Sequence, residues 1–175
     1  MARRQQFLLF AVAALASLAS GSAAAADKPA ACATPEHHQL DFWRGDWDSH
    51  DVDAGGKINA RCRVQAILGG CVIHELYEQT DGLVGESFSL YDAARGVWHQ
   101  SWVTNGGQLI EVEGKLENGK MVLEGDMHGK GGKVTRIHAV WYPQDGGVRE
   151  TATTSSDGGK TWQPLYDILF EPHKP

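Results

Sequence analysis

From Trp47 onward, glycine-bearing turn signals recur about every ten residues, and this rhythm constrains the fold more than any other feature. They fall at 53–56, 68–70, 80–82, 92–96, 104–107, 117–119, 128–132, 144–147 and 156–160. Asn-Gly, Asp-Gly and Gly-Gly pairs supply the positive φ that tight hairpins need. Nine such turns separate ten short segments. No helical period follows residue 45 and no linker interrupts the series, so the expectation is a single domain.

The segments alternate as half-buried strands do. Ile110, Val112, Gly114 and Leu116 share one face, and Glu111, Glu113 and Lys115 share the other. Met121, Leu123 and Met127 oppose Glu124, Asp126 and His128. Trp162, Tyr166, Ile168 and Phe170 fall on one face of the last segment. Short connections make each strand pair with its sequence neighbour. Closing a long antiparallel meander removes its exposed edges. The chain therefore reads as all-β, a single antiparallel up-and-down barrel of about ten strands, with a β-sandwich as the alternative. Barrels of eight to ten strands can enclose one small ligand.

Before the first strand, Thr34 to Asp48 reads TPEHHQLDFWRGDWD, the densest aromatic and acidic run in the chain. It has the form of a short capping helix. Thr34 can cap it, Pro35 suits its first position, and Leu40 and Trp43 share a face. Gly45 is expected to end the helix in the left-handed conformation, after which Trp47 begins a strand. This helix is expected to close one end of the barrel.

Residues 1–26 read as a secretion signal. Arg3 and Arg4 precede an apolar run from Phe7 to Leu18, and Ala23 to Ala26 offer a cleavage site. The run is too short to remain as a membrane span, so no integral membrane segment is expected after cleavage. The domain then covers 27–175, and the destination is the periplasm or the exterior. Removing 26 of 175 residues, which hold two of the 16 Lys+Arg and none of the 22 Asp+Glu, leaves 14 basic against 22 acidic side chains, a charge of −8. That balance argues against nucleic acid or anionic lipid as a partner. Cys32, Cys62 and Cys71 would meet an oxidising compartment, so one disulfide and one free thiol are expected. Three pairings are open. A turn centred on Gly69-Gly70 sets Cys62 opposite Tyr77 rather than Cys71, which favours Cys32–Cys71.

Chemistry is less legible. Trp98, Gln100 and Trp102 share one face of a strand, an apolar wall with one polar handle, as small-ligand pockets are lined. Filling the core is the plainer use for them. Glu75 and Tyr77 share a face with Ile73 and Cys71; turned inward, Glu75 is a buried carboxylate in need of a partner. Arg136 and His138, on one face of the eighth strand, are its expected counter-charges. Trp141 completes the ligand-binding set, although parity puts it opposite Arg136 and His138. Histidine and cysteine spacings fit no metal-binding pattern, and no metal is expected. Asp46, Asp48, Asp51 and Asp53 resemble half a calcium loop, but Asp51 stands where the loop needs glycine and Lys57 where it needs glutamate. No nucleophile elbow, phosphate loop or dinucleotide motif is present. Residues 155–162 match the Asp-box hairpin S-x-D-x-G-x-T-W at every fixed position, which is a structural signature.

The opening HHQLDFWRGDWD resembles a large bacterial domain-of-unknown-function family of small, often secreted proteins, whose pattern runs roughly H-R-Q-F-D-F-W-x-G-x-W. The likeness continues through Gly70-Cys-Val-Ile-His-Glu75, Gly85-x-Ser-x-x-x-Tyr91, Trp98-x-Gln-x-Trp102, Trp141-x-Pro143 and the Asp-box hairpin. It implies a calycin-like barrel akin to lipocalins and nitrobindin. Gly45-Asp-Trp47 also resembles the lipocalin G-x-W motif, whose tryptophan plugs the closed end. The family pattern implies an arginine three residues before the tryptophan of W-x-P, where this chain has His138. Nitrobindin-like barrels hold haem through a histidine, and His138 is the strand histidine for that alternative; otherwise no cofactor is expected.

Three functional expectations follow. The first is a secreted barrel binding a small apolar or amphipathic molecule. The second is a cofactor-free enzyme in which Glu75 and His138 act as acid and base. The third is an envelope-associated barrel filled by its own side chains. The oligomeric state is open.

Overall fold

The computed structural model describes residues 31–174, so the signal segment at 1–26 and its cleavage point lie outside the described residues. Ten strands follow one another: β1 (Gly45–Asp51), β2 (Ala60–Ile67), β3 (Val72–Gln79), β4 (Val84–Asp92), β5 (Val97–Thr104), β6 (Leu109–Glu117), β7 (Lys120–His128), β8 (Val134–Gln144), β9 (Gly147–Ser155) and β10 (Gln163–Pro172). Each pairs antiparallel with its neighbour, and β1 pairs with β10 to close the barrel. Every expected turn lies between two strands, and closure rules out the sandwich. The tightest turns show why local chemistry suffices. At Asn118-Gly119 and Asp145-Gly146 both residues have positive φ, as a two-residue hairpin requires.

The opening segment plugs one end of this barrel. It forms two short 3-10 turns, Pro35–His38 and Asp41–Trp43, rather than one α-helix. The Thr34 hydroxyl meets His37 Nδ1 at 2.9 Å and makes no capping bond to the backbone. Leu40 and Trp43 are buried, as their shared spacing implied. The Trp43 ring meets Phe170 edge-on at 4.4 Å and lies parallel to Trp47 at 6.2 Å. Trp47 Nε1 donates to the Trp43 carbonyl at 3.0 Å. Trp98, from β5, donates from its indole to Gln39 Oε1 at 3.1 Å. Truncating a core tryptophan of this kind costs about 3–5 kcal/mol. The Cys32–Cys71 disulfide ties the same segment to the start of β3. Cys62 is free, buried, and paired in register with Tyr77.

Gly45 departs from expectation. It is the first residue of β1 and is absent from the positive-φ positions among the described residues. A Cβ there would overlap the Trp47 indole. The glycine leaves room for the plug rather than ending a helix.

The last strand also corrects the parity reading. A register shift between Pro164 and Tyr166 turns β10, so Tyr166, Ile168 and Phe170 stay inside while Trp162 does not join them. Trp162 packs on the outer face against His138, at 5.9 Å between rings, and donates to the Gly159 carbonyl at 3.2 Å. The Asp-box hairpin forms as its pattern requires: Asp157 accepts from the amides of Lys160 and Thr161 at 3.0 and 2.9 Å.

Candidate functional site: a chamber with two buried carboxyls

Beneath the open end lies a cavity of about 470 Å³. Asp51, Asn59, Gln79, Leu83, Gln108 and Leu165 stand at or near the strand ends that form its mouth. Phe170, backed by Trp43, lies at the closed end. Ile110, Val112, Met127, Ile137, Ala139 and Ile168 give a continuous apolar wall. This wall follows from the alternation of β6, β7, β8 and β10, which presents one apolar face inward.

Two carboxyls break that wall. Glu75 projects from β3, four residues below Gln79, about 13 Å along the strand from the mouth. Ser87, directly opposite on β4, donates to its Oε2 at 2.7 Å, and the Cys62 thiol donates to its Oε1 at 3.4 Å. Burial raises the Glu75 pKa, and the Ser87 and Cys62 bonds hold it down. Glu150 projects from β9, directly opposite Trp141, and Tyr166 donates to its Oε1 at 2.6 Å. Burial first, and the charge of Glu75 second, push the Glu150 pKa up to about 8. Burial likewise pushes the Tyr77 hydroxyl to about 12 and lifts the Cys62 thiol well above its ordinary value. No lysine, arginine or histidine lines the cavity among the described residues.

The sequence-predicted set divides. Glu75, Tyr77, Gln100, Trp102 and Trp141 line the cavity. Trp98 is buried with its indole on Gln39 and does not line the cavity. Arg136 and His138 lie on the outer face, where both meet Glu124 of β7, at 3.0 and 2.8 Å. They are therefore not the counter-charges of Glu75. Alternation along β8 sends Trp141 inward and these two outward, and no bulge in β8 reverses it. His138 does not line the cavity.

Sequence reasoning missed Glu150, Tyr166, Ser87 and Cys62 as members of the site. For Glu150 a signal existed. It stands between Val148 and Ala152 at strand spacing, so the face that carries it is the apolar one. Gln100 donates from Nε2 to Ser89 at 3.1 Å and to Ser87 at 3.5 Å. With its nitrogen on the two serines, the amide keeps its Oε1 free of any hydrogen bond from the described residues. Among the described residues, no group of three or more His, Cys, Asp or Glu is arranged to hold a metal ion.

Fold and chamber together define a class: a small antiparallel barrel, plugged at one end, with a mostly apolar chamber carrying two buried acids. Compared with known proteins, the chain matches no family model and no curated sequence.

Proposed function

We propose that this protein is an exported carrier whose barrel holds one small amphipathic molecule. The observation that carries this reading is the chamber itself: about 470 Å³, open at one end and lined largely by apolar and aromatic side chains. That volume lies within the range of small-ligand pockets, which combine apolar walls with a few placed polar groups. A disulfide and the signal-like residues 1–26 support export. Among the described residues no helix is long and apolar enough to cross a membrane. The calycin-like likeness of the opening motif belongs to this same proposal, because the G-x-W tryptophan sits in the plug of a closed barrel. The acid–base reading loses its footing, since His138 and Glu75 lie on opposite faces of the barrel wall.

Native mass spectrometry of the protein purified from its own host, before any delipidation, tests the proposal. A reproducible small-molecule adduct is the expected result. A bare protein whose tryptophan fluorescence is indifferent to alcohols, fatty acids and apolar dyes would overturn it.

A further inference from the structure

We infer that the chamber takes a protonated amine with an apolar body, its ammonium seated between Glu75, Glu150 and the carbonyl oxygen of Gln100. This inference rests on the carrier reading and names its ligand class.

Three observations carry it. First, the polar groups deep in the chamber present acceptors. Glu75 and Glu150 project from β3 and β9 into the same cavity, Glu75 four residues from Gln79 at the mouth and Glu150 between the buried Val148 and Ala152. Second, Gln100 is 93 % buried, being 7 % exposed, yet its Oε1 accepts no hydrogen bond from any described residue. Its place in the chamber is fixed by Ser87 and Ser89, and Ser87 also holds Glu75. Trp43 Nε1 and Arg136 Nε are the sealed polar atoms left unpaired among the described residues, so the Gln100 oxygen is instead reached from the cavity and stands free to meet a ligand donor. Third, the chamber supplies no cation of its own, because its titratable members are Asp51, Glu75, Tyr77, Glu150 and Tyr166. Cys62 from β2, behind Glu75, adds none.

An ammonium complements this set. It carries three donors and no acceptor, which matches in number the two carboxylates and the amide oxygen. Trp102, Trp141 and Tyr77 add aromatic faces, which attract cations. The apolar wall and Leu83 and Leu165 near the mouth would then cover the rest of the molecule. Without ligand, buried carboxyls lower their cost by keeping protons. When an ammonium enters, it favours their ionised form, and the displaced proton leaves to solvent. Binding is therefore linked to proton release.

The test is displacement of N-phenyl-1-naphthylamine from the purified protein by decylamine, decanol and decanoate at neutral pH. Decylamine is expected to bind at least about tenfold more tightly than decanol, the size of one charged hydrogen bond, with decanoate weakest. Glu75→Gln combined with Glu150→Gln is expected to abolish the preference of decylamine over decanol. Should that variant fail to fold, calorimetry of the unaltered protein in two buffers of different ionisation heat decides: decylamine must release protons and decanol must not. Equal affinity for decylamine and decanol without proton release overturns the amine site and leaves the carrier intact. Exclusion of the probe and all three molecules overturns both.

Discussion

Ser87 Oγ donates a 2.7 Å hydrogen bond to Oε2 of Glu75 from the position directly opposite it on β4. The bond favours the ionised carboxylate, so it opposes the rise that burial causes. Ser87→Ala is expected to cost about 1–3 kcal/mol of stability. The loss should be larger at pH 8 than at pH 5, because only the charged form depends strongly on the donor. Urea unfolding at the two pH values checks this; an equal loss at both would show that the serine acts by packing alone.

Stability should fall as pH rises from about 4.5 toward 8. Glu150 is pushed up to about 8 in the folded barrel, well above its unfolded value, so the folded state holds a proton that the unfolded state has released. The stability this proton confers is fully present below the unfolded pKa and is lost as pH passes through the folded one. Glu75 shifts in the same direction. Asp157, Asp46 and Glu113 shift downward through their hydrogen bonds, and their contribution is lost only in stronger acid. A maximum near about pH 5 is therefore expected in denaturant titrations. Glu150→Gln should flatten the limb above it.

The Cys32–Cys71 disulfide closes a loop of 39 residues, worth about 4 kcal/mol in the chain-entropy treatment. Replacing both cysteines by serine should lower unfolding stability by about that amount. It should also release the plug before the barrel. Hydrogen exchange would show protection lost first at Trp43 and Arg44, whose amides bond within the opening segment, while the strand amides hold.

Gly85→Ala probes the chamber wall from behind. A Cβ at this position would overlap the Trp102 indole. The ring must move into the chamber or away from it, at a cost of about 1–3 kcal/mol. Tryptophan emission should shift, and probe affinity should fall more than stability does. Unchanged emission and affinity would mean that the backbone, not the ring, gives way.

Much of this was legible in the chain because turn chemistry is local. Asn118-Gly119 needs only its own φ values to turn, and the same holds at each hairpin, so strand number and neighbour pairing followed. The opposition of Cys62 and Tyr77 followed in turn, and with it the disulfide. What failed depended on structure beyond the neighbour. The shift between Pro164 and Tyr166 puts Trp162 outside, and no alternation count sees it. Gly45 makes way for a ring two residues on, which a helix-ending rule cannot express. Parity correctly set Trp141 against Arg136 and His138. In place of the expected counter-charges, Glu75 has Ser87 and Cys62 as donors and shares its cavity with another acid, Glu150, because β9 and β3 curve around one interior.

The seam between β1 and β10 has a consequence in time. Asp48 and His173 meet at 2.8 Å across 125 residues of chain, and the backbone of His173 bonds to Asp46 at 2.8 Å. During synthesis β1 can find β2 but has no partner for its other edge until β10 has emerged. A partly made chain is thus a ribbon with two sticky borders, whereas the finished one has none. Contacts so distant in sequence also form slowly. Whatever meets this polypeptide before synthesis ends therefore meets the ribbon, and the sheet loses its open borders only at the last strand.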